Sequence, residues 1–304
     1  MLFRSHITSI KAPVTATANH GDIELSAITG PATAHINGGG SSISAHSVDG
    51  DISIQGHAED ITLADITGPV SINGEFFGTT HLEHINGPVH FHTSRTDFQL
   101  ARLDGEVEIS PDSNLSADQA LGPVVLTTRD RTIRLDRIAG DVAVTNRNGT
   151  IDLIAAPTLG NITLEDRNGT IKATMPEHAG FTIQASTTNG SIDSSDFFKT
   201  TSTTSATDTR AATPQEIVAN HLTNSGTENS KNLSGVVGAG GPTVRITTTN
   251  GDISLLKADV QPLSPAPPAP PKITQAPPAA PKAPATAKTA AAPKHPTAPK
   301  PPDQ

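Results

Sequence analysis

A glycine followed two and four residues later by small or apolar side chains returns every 17 to 20 residues along this chain. Gly50 leads to Ile52 and Ile54, Gly68 to Val70 and Ile72, and Gly87 to Val89 and Phe91. Gly105, Gly122, Gly140 and Gly160 continue the series, and Gly30 begins it with the smaller Ala32 and Ala34. A second apolar set precedes each anchor at constant offsets: Ile61, Leu63 and Ile66 before Gly68, Phe98, Leu100 and Leu103 before Gly105, Ile133, Leu135 and Ile138 before Gly140. The unit is therefore apolar-x-apolar-x-x-apolar-x-Gly-x-apolar-x-apolar, with polar residues at most x positions. Strict alternation means strand, with one face in and one face out. Glycine between the two strands permits a sharp corner. Polar stretches of variable length close the remaining side, as loops do in a solenoid.

Two architectures satisfy such a pattern. Asn-Gly turns, as in Arg147-Asn148-Gly149-Thr150-Ile151 and its copy Arg167-Asn168-Gly169-Thr170-Ile171, also suit hairpins and hence a meander. Two features favour stacking. The two halves of each period differ, and equivalent positions carry like residues. The column two residues past each glycine reads Ile52, Val70, Val89, Val107, Val124, Val142 and Ile162, and stacked coils set such residues about 4.8 Å apart. The chain has 8 Phe and neither Trp nor Tyr, so its core must come from many small and β-branched side chains, which regular stacking supplies. The expectation is an all-β parallel β-solenoid of about 19-residue coils, with Val107 between Val89 and Val124.

The pattern covers residues 1–195. Residues 196–241 read as a disordered Ser/Thr/Gly-rich insert, with a short helical stretch over 214–222. Residues 242–258 read as the final coil, and 259–304 as a Pro/Ala/Lys-rich tail that cannot form a core. The first coil starts almost at Met1 without a visible cap, which suggests either a preceding segment absent from this sequence or another chain covering that end, as in end-to-end self-association through that coil. Residues 1–6 lack the apolar run of a secretory signal, and no apolar stretch reaches the ~20 residues of a membrane-spanning helix.

Charge narrows the partners. The net charge is −9, and five lysines of the tail stand against Asp303 alone, so the body is more acidic still. Nucleic acid, which needs a basic face, is excluded as the main partner. The chain has no cysteine, so it makes neither disulfides nor thiolate metal sites. His81, His84, His90 and His92 form the densest cluster of candidate ligands. His90 and His92 share one strand face at a metal-ligand spacing, but they occupy outward positions and no carboxylate cluster converges on them in sequence, so a surface ladder is expected, with no metal or cofactor. Asp141 with Asp152, or Glu165 with Asp166, could be drawn as a glycosidase pair. Nothing selects them over solvated strand faces, and no catalytic residue is expected.

The recurrent Arg-Asn-Gly-x-Ile and Gly-Asp-Ile-x-Ile units, with Gly-Pro-Val variants, resemble the bacterial adhesin-like family of β-strand-repeat domains over residues 12–195 and 242–256. That resemblance implies a non-catalytic binding or structural module of the cell envelope or surface, engaging a surface, polysaccharide or protein ligand. It carries no site residues. A second resemblance, to the bactofilin-like polymerising β-helical scaffolds, implies end-to-end assembly. A third reading is a carbohydrate-binding or polysaccharide-active β-helix.

Overall fold

The computed structural model describes residues 4–197, 221–225 and 231–263. These form a parallel β-solenoid, and among the described residues there is no helix. Two sheets recur from coil to coil. One contains Asp22–Thr29, Ile43–Asp49, Ile61–Ile66 and Thr80–Ile85, paired parallel with Ile23, Ile43, Ile61 and Thr80 in register. The other contains Ala32–Asn37, Ile52–Ala58, Val70–Phe76 and Val89–His92, with Ala32, Ile52, Val70 and Val89 in register. The alternating residues point inward and are almost wholly buried. Each Val, Leu or Ile so buried contributes about 1.5–3 kcal/mol, and the repetition replaces the missing aromatics.

Two local devices turn each coil. The x-x step of the repeat holds a residue in the left-handed region: Ala27, Ser47, Asp65 and His84 have φ of 52°, 54°, 56° and 48°. The glycine step has a different cause at Gly68, where a Cβ would stand 2.5 Å from the Gly50 carbonyl carbon and oxygen. Backbone stacks directly on backbone there, and only glycine fits.

Direction is where the chain departs from the sequence pattern. Residues 96–109 form a coil that runs backwards. Thr96–Leu100 lies antiparallel between Val89–His92 and Val124–Thr128. Arg102–Ile109 lies antiparallel between Thr80–Ile85 and Asn114–Asp118. Val107 therefore stacks between Leu82 and Ala117, not between Val89 and Val124 as expected. Its place in that column is taken by Leu100, opposite Val89. Phe98 sits between Phe91 and Leu126. The reason is symmetry. Read in reverse, Ile109, Val107, Leu103, Leu100 and Phe98 present nearly the same apolar spacing as a forward coil, so either direction fills the interior. The turns decide: Thr93 N–H donates to the Thr96 carbonyl at 2.8 Å and Ser110 N–H to the Asn114 carbonyl at 2.9 Å, closing two tight hairpins. Gly105 becomes a bulge at a register shift between Leu103 and Glu106, where two residues face fewer partners.

Order along the chain also differs from order in the stack. Thr243–Asn250 is inserted between Ile151–Asn168 and Phe181–Asn189, with Val244 opposite both Ile162 and Ile183. Ile253–Ala258 likewise separates Ile171–Pro176 from Ile192–Asp193. The coil of residues 242–258, last along the chain, is thus not last in space. A ladder of amides fastens it: Asn189 donates to Asn250, Asn250 to Asn168 and Asn168 to Asn148, at 2.8, 2.7 and 2.8 Å, and Asn148 donates to Asp130.

The stack ends in antiparallel strands. Lys231–Val237 covers Phe181–Asn189, and His221–Ser225 pairs with it in turn. Leu233 and Val237 are buried, and Phe197 packs edge-on against Phe181 with ring centroids 5.5 Å apart. Part of the expected insert, residues 231–237, is therefore an ordered cap, because alternating Leu233, Gly235 and Val237 fit the open edge of the last coil. Residues 198–220 and 226–230 of the expected insert, most of the expected helical stretch over 214–222, and the tail from 264 onward lie outside the described residues. The last two residues of that stretch, His221 and Leu222, are strand.

Candidate functional site

The reversed coil leaves a notch. Forward coils return from the second sheet to the first across a third side, as residues 74–79 do. Both hairpins of the reversed coil turn back at that corner, so no chain crosses the third side there. A cavity of about 330 Å³ opens between the neighbouring coils. Phe76, Phe77 and Phe91 supply its apolar wall, and Arg95, Arg129 and Arg131 bring three cations to it. Phe76 and Phe91 pack with ring centroids 6.2 Å apart, whereas Phe77 is 66 % exposed.

Arg131 pins the arrangement. Its Nε donates to Thr96 Oγ1 at 2.9 Å and its Nη1 to the Ser110 carbonyl at 3.1 Å, so one guanidinium ties both hairpins. Burial, and then the charge of Arg95, pull its pKa below the ordinary guanidinium value. The group remains charged. Two carboxylates, Glu75 and Asp130, also line the recess, where Glu75 accepts the Ser94 N–H at 3.0 Å and Asp130 accepts from Asn148. Arg4, Arg102, Arg134 and Arg137 pair with Asp22, Asp104, Asp136 and Asp118. None of the three notch arginines forms an ion pair among the described residues. An anion entering the notch would meet three arginines against two carboxylates, a net positive charge, beside exposed aromatic surface.

A buried polar column runs from the notch into the stack. Thr96, Thr128, Asn146, Asp166, Thr248 and Thr187 occupy it, all buried. Thr128 Oγ1, Asn146 Oδ1 and Asp166 Oδ2 have no hydrogen-bond partner. Asp166 has its pKa raised by burial, against the opposing hydrogen bond that the Asn168 N–H donates to its Oδ1 at 3.2 Å.

The histidines lie on the outer faces. His81 is 3.8 Å from Glu83, and His84 is 3.6 Å from both Asp65 and Glu83. His90 and His92 are joined by Asp97, which the hairpin places opposite His92. Asp97 follows His92 by only five residues, but it is the hairpin that turns it back beside the histidines. The drawn glycosidase pairs are not brought together as pairs. Glu165 is exposed while its neighbour Asp166 is buried, Asp141 accepts the Asn161 N–H at 2.7 Å, and Asp152 lies across from Arg134 and Lys172.

The model of a family described as Toastrack DUF4097 matches residues 39–227, more than half of the chain. The chain belongs to the Toastrack DUF4097 family. This is a β-strand repeat domain of unknown function, and the coils described above are its structural form in this chain. No curated protein and no solved structure matches the sequence. The Toastrack match takes in both hairpins of the reversed coil and every residue that lines the notch. No helix among the described residues is long and apolar enough to cross a membrane.

Proposed function

We propose that this Toastrack chain is a non-catalytic, adhesin-like binding module of the bacterial cell envelope or surface, and that it receives an acidic polysaccharide in the notch. One observation carries the reading: Arg95, Arg129 and Arg131 surround a recess without an ion-pair partner in an otherwise acidic body. Guanidinium groups bind carboxylates with two parallel hydrogen bonds, and the exposed Phe77 offers a flat apolar surface for a sugar ring. The solenoid behind them serves as a rigid frame. The envelope location rests on the likeness of the repeated Arg-Asn-Gly-x-Ile units to adhesin-like domains. The antiparallel cap of Lys231–Val237 and His221–Ser225 supports a binding module over a bactofilin-like filament, since stacking onto that end would first have to displace it.

The test is binding to immobilised uronate-containing polysaccharides at low and moderate salt. Arg95→Glu and Arg129→Glu, both at exposed positions that pin nothing, should each weaken binding about tenfold or more, as loss of a charge-assisted hydrogen bond does. Raising salt should weaken the wild type. Equal retention of wild type and both variants would refute the notch as the binding site.

A further inference from the structure

We propose that His90, His92 and Asp97 bind a divalent transition-metal ion such as Zn²⁺ on the outer face of the hairpin that opens the reversed coil. One ligand atom from each residue lies within 4.8 Å of the other two. His90 Nε2 is 3.0 Å and His92 Nδ1 3.7 Å from the same oxygen, Asp97 Oδ1. The convergence follows from two periodicities. Alternation along Val89–His92 sets both imidazoles on one face, and the antiparallel register places Asp97 opposite His92 and diagonal to His90. An all-parallel stack would have carried Asp97 away from them.

The backbone beneath the three residues is well supported. Val89–His92 pairs with Val70–Phe76 on one side and with Thr96–Leu100 on the other, and the latter is held in turn by Val124–Thr128. Ligands on paired strands hold their geometry better than ligands on loops. A tetrahedral ion with bonds of ~2.0–2.2 Å needs its ligand atoms about 3.3 Å apart, which side-chain rotation at these half-exposed positions supplies. Two imidazoles and a carboxylate suit Zn²⁺, Ni²⁺ or Cu²⁺ rather than Mg²⁺ or Ca²⁺. With three protein ligands on an open surface, the remaining coordination position faces solvent, where it can hold water or a group from a partner. No residue of the notch is a ligand, so this inference stands independently of the polysaccharide reading.

The experiment is calorimetric titration of the untagged full-length chain with ZnCl₂, followed by the same titration of His90→Ala, His92→Ala, Asp97→Asn and, as a control, His46→Ala. All four positions lie on the surface, and far-ultraviolet circular dichroism verifies that each variant keeps its strands. The expected result is one Zn²⁺ per chain, bound about tenfold or more weakly by each of the three ligand variants and unchanged in the control, because a site of three ligands loses much of its affinity with any one. Absence of saturable binding by the wild type, or unaltered affinity in His92→Ala or Asp97→Asn, would overturn the proposal.

Discussion

A pair of engineered cysteines can read the direction of the coil at residues 96–109, because the natural chain has no cysteine to interfere. In the reversed coil, Glu108 lies directly across from His81. In a forward coil, with Val107 over Val89, Glu108 would instead lie over His90. The variant His81→Cys with Glu108→Cys therefore has its two Cα atoms at the ~4.5–5.5 Å of an antiparallel pair, within the 4.4–6.8 Å that a disulfide spans. The bond would close a loop of about 28 residues, for which the chain-entropy relation gives an upper value of about 3.6 kcal/mol. For a body of this size, each kcal/mol moves the midpoint by about 2–4 °C, so the oxidised form should melt up to about 7–14 °C above the reduced form. Mass spectrometry of the non-reduced digest establishes the bond, and paired thermal melts with and without reductant give the shift. The matched variant His90→Cys with Glu108→Cys should stay reduced under the same conditions. Ready oxidation of that second pair, with none in the first, would refute the reversal and restore an all-parallel stack.

Two further perturbations probe the interior. Val107, fully buried between Leu82 and Ala117, should not tolerate Val107→Asp, since an unpaired charge there has no partner, whereas exposed Glu108→Lys should cost about 0.5 kcal/mol or less by urea titration; the opposite ranking would mean that inward and outward faces are interchanged. Asp166→Asn should stabilise the protein at neutral pH by about 1–2 kcal/mol, the scale of satisfying buried polar groups, because its new amide can donate toward the unpartnered Asn146 Oδ1. The sign follows from the raised pKa of Asp166: the folded protein holds this proton more tightly than the unfolded chain, so the aspartate's contribution is full below the ordinary value of 3.8 and is lost as pH rises through the folded pKa. The advantage of the asparagine should therefore shrink on acidification toward pH 4 and below, and thermal melts showing a gain that grows instead would refute the argument.

The capped end and the notch share an origin. Both arise where antiparallel pairing interrupts the parallel ladder, once at residues 96–109 and once at Lys231–Val237. Parallel coils conceal their edges by repetition, and only the interruptions create local geometry that differs from coil to coil. A family built on one repeated unit can acquire a specific site in this way without disturbing the core.

The alternation of apolar residues and the spacing of the glycines were enough to specify strand, period and the inward face. These are local properties: a two-residue period can bury one face only as a strand, and Ile61, Leu63, Val70 and Ile72 have no other way to share an interior. The His90–His92 pair was visible for the same reason. What the alternation could not carry is direction or order. Phe98-x-Leu100 reads alike from either end, so the reversal was decided by two short turns at residues 93–96 and 110–114 and by Arg131, which ties them from 35 and 21 residues away along the chain. The insertion of Thr243–Asn250 beneath Phe181–Asn189 was equally hidden, because Val244 and Ile246 match every neighbouring rung. Asp97 joined the histidines through the hairpin at residues 93–96, whose direction the alternation does not state, and Arg95 met Arg129 and Arg131 around the notch through pairing between segments more than 30 residues apart. Periodicity states which residues face inward, while the partner that each one meets depends on the path the chain takes between coils.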